Sequence, residues 1–302
     1  MKKVQVLLST YNGRDLIRRQ VESILNQKDV EVNILIRDDG SKQDTRTALL
    51  KIQEDYFDRV RVVFCENIGW KRSFIELLFM AEEYDYYCFS DQDDVWLPEK
   101  LIKCIEKIES DSDYHGAKLV HCNSVCTDRN LAVRKEQQYR YPMPGSHKMA
   151  IAQEYFQGCG MVWNTEAMRL VKMYKPSEEI AHDYWVGVLC YFFGKIYYIE
   201  EPLFYHIRYE NNASSDGKLL SGRYKRVKTF FKQKSVYTNP GKDFLTGYSE
   251  KLSRQDFVFL KKCADYKKNF KSKLSLIFDL KFKREHFMST LFFKISILFN
   301  KY

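Results

Sequence analysis

Residues 86–98 read Tyr86-Tyr87-Cys88-Phe89-Ser90-Asp91-Gln92-Asp93-Asp94-Val95-Trp96-Leu97-Pro98. The opening run is apolar and continuous, which is the pattern of a strand covered on both faces. Pro98 stands where a helix tolerates proline, in its first turn. Three carboxylates and an amide lie between the two. Carboxylates packed this closely repel one another, so a fold tolerates them when something positive sits among them. Asp91-Gln92-Asp93 has the D-x-D spacing that brings hard oxygen ligands to one divalent cation. Mn²⁺ and Mg²⁺ prefer such ligands and share them with substrate phosphates. An acidic loop that caps the next helix has the same composition, and Asp94 fits that simpler role.

Outward from this stretch, residues 1–110 alternate strand and helix patterns. Strands are expected at Val4–Ser9, Val32–Arg37, Val60–Cys65 and Tyr86–Ser90. Helices are expected at Asp15–Gln27, Asp44–Ile52, Lys71–Ala81 and Pro98–Ile108, where apolar residues recur at helical spacing. The alternation predicts an α/β fold with a mainly parallel central sheet and helices on both faces. In such sheets ligands bind beyond the carboxyl ends of the strands. Thr10-Tyr11-Asn12, Asp38-Asp39-Gly40-Ser41 and Asp91-Gln92-Asp93 all follow strand ends, and right-handed crossovers gather them on one edge. Further on, Lys118–Val125, Gly158–Trp163 and Lys195–His206 read as strands, the last interrupted at Glu200-Glu201-Pro202. Thr165–Met173 and Asp183–Phe193 read as helices.

No G-x-G-x-x-G follows the first strand, which argues against a standard dinucleotide site. Tyr11 offers a flat face for a nucleobase, and Thr10 and Asn12 offer hydrogen bonds. Asp38-Asp39 can accept a proton from a pyrimidine imide. Each segment also reads as an ordinary turn, Asn12-Gly13 and Asp39-Gly40-Ser41 being common turn pairs. Their coincidence at three strand ends of one sheet favours a site.

The 302 residues are 45% hydrophobic, ample for a buried core. Charge is uneven. Residues 218–302 hold 21 Lys/Arg against 6 Asp/Glu, leaving 28 against 34 for residues 1–217. A mildly acidic body therefore carries a strongly basic C-terminal region, and the composition shift near 214–221 marks the expected boundary. Domains are expected at 1–217, with halves 1–115 and 116–217, and at 218–302. The surplus of positive charge predicts an anionic partner. Arg223–Lys232 is a basic aromatic segment, and His286–Phe299 is apolar with Lys294 among its cations. This pattern fits an interfacial amphipathic helix on an anionic membrane surface, and also a helix packed on its own domain. The acidic body and the lack of a recognised binding motif argue against nucleic acid. The eight cysteines show no C-x-x-C pair and read as free thiols of a reducing cytoplasm.

At this point the chain resembles a known family. Ser9-Thr10-Tyr11-Asn12, Arg37-Asp38-Asp39-Gly40-Ser41, Asn67-Ile68-Gly69 and Ser90-Asp91-Gln92-Asp93-Asp94-Val95-Trp96 are similar to the hallmarks of family 2 glycosyltransferases with a Rossmann-like GT-A fold. His182-Asp183-Tyr184-Trp185, Gly194-Lys195-Ile196 and Glu201-Pro202-Leu203-Phe204-Tyr205 resemble the acceptor half of that family. The match covers roughly residues 1–215, and its nearest look-alikes are bacterial rhamnosyltransferases of polysaccharide assembly. The resemblance implies an inverting, divalent-metal-dependent transferase with a nucleotide-sugar donor, dTDP-L-rhamnose or a UDP-hexose. The implied acceptor is a saccharide or lipid-linked saccharide at the cytoplasmic face of the membrane.

It implies roles as well. Thr10, Tyr11, Asn12, Asp38, Asp39 and Asp91 would hold the nucleotide-sugar. Asp91 and Asp93 would hold Mn²⁺ or Mg²⁺, with Asp93 the more direct ligand. Asp183 would be the catalytic base, though Asp at that point also caps a helix. Trp163 and Trp185 are candidate faces for the acceptor, with core packing the alternative. One departure stands out. Relatives have Tyr-Arg-x-His before an Asn-Asn pair, whereas this chain has Tyr205-His206-Ile207-Arg208-Tyr209-Glu210-Asn211-Asn212. His206 and Arg208 are both candidates for the metal or the diphosphate. A nucleotidyltransferase is the competing enzyme class, but Asn12-Gly13-Arg14 is a poor phosphate loop.

Overall fold

The structure is a computed structural model that describes residues 1–137, 143–176, 180–208 and 235–302. The expected boundary at 217 and the basic segment 223–232 lie outside the described residues. The chain forms two compact units. The first comprises residues 1–143, 156–175 and 181–209, and the second comprises 144–155, 176–180 and 210–302.

The first unit is built on one nine-stranded sheet. Its strands are β1 (Lys2–Thr10), β2 (Val30–Asp39), β3 (Val60–Cys65), β4 (Tyr86–Ser90), β5 (Val95–Trp96), β6 (Ala117–Thr127), β7 (Val133–Lys135), β8 (Met161–Asn164) and β9 (Gly194–Ile207). Their order is β3-β2-β1-β4-β8-β6-β9-β5, with β7 paired to β6. The left half, β3-β2-β1-β4, is parallel throughout. Strand β8 then inserts antiparallel between β4 and β6, while β9 runs parallel to β6. The mainly parallel α/β sheet of the sequence reading is what forms, in GT-A arrangement.

Helices α1 (Arg14–Leu25), α2 (Gln43–Asp55), α3 (Trp70–Met80) and α4 (Lys100–Glu109) supply the crossovers. Helices α6 (Thr165–Lys172) and α7 (His182–Phe193) belong to the second half of the sheet. Val4, Val6 and Leu8 of β1 bury against Ile17, Val21 and Ile24 of α1, because alternate strand positions and i, i+4, i+7 helix positions face each other. Register places Thr10 beside Asp38 and Leu8 beside Ser90. The ends of β1, β2 and β4 therefore lie along one edge of the sheet.

Strand β9 does not break at Glu200-Glu201-Pro202. The ladder with β6 instead shifts register twice, between Cys122 and Asn123 and between Asn123 and Val125. Such irregularities accommodate a residue that cannot donate to the ladder.

The second unit is helical: α5 (His147–Ala152), α8 (Gly241–Tyr248), α9 (Arg254–Asp265), α10 (Phe270–Phe278) and α11 (Phe287–Leu298). Ser253 and Asn269 cap α9 and α10 by accepting from backbone amides. Its core is aromatic. Phe282 packs edge-on against Phe259, Phe293 and Tyr302, with ring centroids 4.9–5.7 Å apart. Lys294 is not an edge cation of the last helix: its ammonium donates to the carbonyls of Leu276 and Asp279, and burial lowers its pKa to about 8. Among the described residues no helix is long and apolar enough to cross a membrane.

Candidate active site

The loop after β4 is the centre of the site. Gln92 ties it to the end of β1: its Oε1 accepts from Thr10 Oγ1 at 2.7 Å and from the Tyr11 amide at 3.0 Å. Thr10 is buried, whereas Tyr11 and Asn12 are exposed. Asn12, in the left-handed region at φ 53°, locks the β1 loop to the β2 loop. Its amide donates to Ser41 Oγ, and its Oδ1 accepts from the Lys42 amide, both at 2.9 Å. Gly40 sits at φ +78° with Asn67 so close that a Cβ would lie 2.7 Å from its amide nitrogen. Glycine is required there on both counts.

Asp38 and Asp39 are buried and already engaged. Asp38 accepts from the Ser41 amide and from Arg46 Nε. Asp39 Oδ1 accepts from Arg37 Nη1 (2.5 Å) and the Ile68 amide (3.0 Å), and Oδ2 from the Gly69 amide (3.0 Å). Arg37 also reaches Ser73 Oγ. Asp39 thus fixes the loop between β3 and α3, a duty the sequence does not announce.

On the other side of the loop, Asp91, Asp94 and Cys159 converge. One ligand atom from each lies within 4.8 Å of the others. The Cys159 thiol donates to Asp91 Oδ2 at 3.2 Å and accepts from the Asp91 amide at 3.1 Å. Asp94 does not cap the next helix, as the simpler reading of the loop had it. It is buried, and its Oδ1 contacts His206 Nδ1 at 3.0 Å, while α4 starts without a side-chain cap. His206 is oriented by Asp94. Asp93 is partly buried in the same loop, outside the converging group among the described residues.

Electrostatics follows from this crowding. Burial, then the charges of Asp94 and Asp93, raise the Asp91 carboxyl to about 7. Burial lowers the His206 pKa, but neighbouring Asp94 outweighs it, and the net shift is upward. A divalent cation fits here. Asp94 Oδ2 is buried with no hydrogen-bond partner among the described residues, an orphaned acceptor of the kind a cation satisfies. The carboxylate oxygens suit Mn²⁺ or Mg²⁺, and the thiol is a poor donor to either.

Asp183 lies in the first turn of α7, where its Oδ1 accepts from the Tyr184 amide at 2.7 Å. Its neighbour His182 links it to the loop. The imidazole stacks on Phe74 (centroids 3.8 Å) and meets Phe89 edge-on (4.3 Å), two residues before Asp91. Gly158, next to Cys159, leaves room for His182: a Cβ there would lie 2.7 Å from Nε2. Burial lowers the His182 pKa to about 3, so it packs as a neutral ring.

Trp163 and Trp185 are fully buried at 0% exposure, which removes the open face that an acceptor sugar requires. Both are core aromatics, Trp163 packing on Phe89 and Tyr87. The side chains that sequence reasoning missed are Gln92, Asp94, Cys159 and Arg37. Each acts through a partner distant in the chain or in a fold-dependent position.

The family model described as "Glycosyl transferase family 2" matches residues 5–176. An uncharacterized glycosyltransferase, alr2836 of Nostoc sp., is 26% identical over 83% of this chain and 78% of its own length. The dTDP-rhamnosyl transferase RfbG of Shigella flexneri is 27% identical over 73% of this chain and 78% of its own. Among solved structures, S. aureus TarS residues 1–349 in complex with UDP-GlcNAc superimposes with a TM-score of 0.56 at 15% identity. That alignment covers 98% of this chain and 81% of the other.

Proposed function

The chain belongs to glycosyltransferase family 2, and from that premise we propose that it transfers a sugar from a nucleotide donor to a saccharide hydroxyl with inversion at the anomeric carbon. The observation that carries the reading is the convergence of the β1, β2 and β4 loops through Gln92, Asn12 and Asp39 beside the Asp91–Asp94 cluster. The exposed Tyr11 ring stacks on the base. Asp39 Oδ2 accepts one bond, leaving capacity for a pyrimidine N–H. Thr10, Asn12 and Asp38 act by holding the loops in register, and Asp91 reaches the sugar-nucleotide. Asp91 and Asp93 would hold Mn²⁺ or Mg²⁺, with His206, oriented by Asp94, as a further candidate, and the cation would supply charge neutralisation for the diphosphate. Asp183 takes the acceptor hydroxyl proton on its carboxylate, so that the oxygen attacks opposite the leaving group.

The donor proposed is dTDP-L-rhamnose, on the strength of the likeness to RfbG. A UDP-hexose is the second reading, favoured by the shared fold with a UDP-GlcNAc complex. Release of nucleoside diphosphate from each donor, with Mn²⁺ and a panel of saccharides, decides between them. Turnover of dTDP-L-rhamnose above UDP-sugars is expected; turnover of neither donor contradicts the transferase reading.

The acceptor proposed is lipid-linked, with the enzyme peripheral at the cytoplasmic face of the membrane. Support comes from the second unit. Helix α11 buries Phe293, Ser296 and Ile297 and leaves Phe287 (79%), Met288, Leu291, Phe292, Leu298 and Phe299 exposed. Helix α10 exposes Phe270, Leu274 and Phe278 (74%), one stripe at i, i+4, i+8. Lys271, Lys273, Lys281 and Lys283 stand among them. Each large apolar side chain that enters lipid contributes ~1.5–3 kcal/mol and each nearby lysine roughly 1 kcal/mol on an anionic leaflet. Full-length protein is expected to float with phosphatidylglycerol vesicles and not with phosphatidylcholine alone. A Phe287→Ser, Phe292→Ser double variant is expected to lose most of that binding. Equal recovery with both vesicle types, or no effect of the double variant, contradicts the assignment.

A further inference from the structure

We propose that Trp70 is a carbohydrate platform, the surface on which the ring of the acceptor sugar rests; this inference builds on the transferase reading above. Of the four tryptophans, Trp96, Trp163 and Trp185 are buried and Trp70 alone is open, at 51% exposure. A single exposed aromatic is ordinary on a protein surface. Its placement is what separates Trp70 from that background.

Trp70 is the first residue of α3, immediately after Gly69 at φ +86°. The segment before it is held by the carboxylate at the end of β2. Asp39 accepts from the Ile68 and Gly69 amides, each at 3.0 Å, and Arg37 Nη2 donates to the Glu66 carbonyl at 3.2 Å. From the other direction, the indole meets His182 edge-on, with centroids 6.1 Å apart at 86°. His182 is followed by Asp183 and is fixed on Phe74 and Phe89. The open indole is therefore anchored at one end to the nucleotide-side loop and at the other to the residue preceding the proposed base. An acceptor whose hydroxyl is to reach Asp183 needs a rigid surface in this position.

The chemistry of an indole face suits the C–H face of a sugar ring. Its electron-rich face attracts groups with partial positive charge at their surface, and the C–H face of a pyranose presents such a surface. Lys71 Nζ lies 5.6 Å from the ring centroid, a cation–π contact that helps set the ring's orientation. Aromatic platforms supply large, rigid contact area at low entropy cost.

The test uses full-length wild type, W70F and W70A. Saturation-transfer NMR is recorded with methyl α-L-rhamnoside and methyl N-acetylglucosaminide, each in the presence of diamagnetic Mg²⁺ and a nucleoside diphosphate. At least one glycoside is expected to show transfer to its ring C–H protons in the wild type, reduced transfer in W70F and none in W70A. In turnover assays, W70A is expected to raise the acceptor KM roughly tenfold, the size of one aromatic contact, with a smaller change in kcat. Equal signals from wild type and W70A overturn the proposal, as does absence of signal from the wild type with both glycosides. The NMR arm reads sugar binding directly. Failure of the wild type to turn over any nucleotide-sugar therefore counts against the transferase reading, while the NMR result still decides the role of Trp70.

Discussion

Replacing Asp183 with asparagine is expected to lower kcat by about 10²- to 10⁴-fold, the range that a positioned general base contributes. Asparagine keeps the shape of the side chain and an oxygen to accept from the Tyr184 amide, so the first turn of α7 is retained. What it loses is the ability to take a proton. Asp183 stands in the first turn of a twelve-residue helix, where an acidic side chain is favoured. His182 cannot substitute, since burial drives its pKa down to about 3 and its ring is committed to Phe74. A cap residue of no further duty would leave both the melting temperature and the turnover per folded molecule unchanged, because asparagine caps a helix as well as aspartate does. Measuring kcat together with thermal stability separates the two. Near-normal turnover in a folded Asp183→Asn variant contradicts the base assignment.

Replacing Asp93 with alanine is expected to reduce turnover at least about 10²-fold and to raise the Mn²⁺ concentration needed for half-maximal activity. The physical ground is the arrangement of negative charge. Asp91, Asp93 and Asp94 lie within one loop, and their mutual repulsion, with burial, already lifts the Asp91 carboxyl to about 7. Removing one carboxylate lessens that repulsion. Loss of turnover in a variant that remains folded is an outcome that a purely structural acidic loop does not give. Asp94 contrasts with Asp93. Its replacement strips His206 of its hydrogen-bond partner inside the protein, and leaving a buried polar group unpaired costs about 1–3 kcal/mol.

The parallel half of the sheet is legible in the sequence because its strands are continuous apolar runs with polar ends. Val60–Cys65 and Tyr86–Ser90 begin and end in the structure where their composition changes. Elements set by distant partners are not legible. Strand β5 is two residues long and exists only because Val95 and Trp96 meet Tyr205 and Phe204. Asp94 reads as a cap until β9 brings His206 to it across 112 positions. Cys159 looks like one more small apolar residue of a strand until β8 pairs with β4 and sets its thiol on Asp91. The tryptophans show the same limit. Pattern alone does not separate a buried indole from an open one, so Trp163 and Trp185 drew attention that the fold directs to Trp70. The last helix packs one face through Phe293 and Ile297 and leaves the other exposed, a division that its apolar composition does not reveal.

Three strand-end loops and a cation are proposed to form one nucleotide-sugar site. Calorimetric titration of the full-length protein with dTDP and UDP, in Mn²⁺ and again in chelator, tests it most directly. Binding of at least one nucleotide in Mn²⁺ is expected, with most of that affinity lost in chelator and in Asp93→Ala. Equal affinity with and without the metal, undiminished in Asp93→Ala, would contradict it.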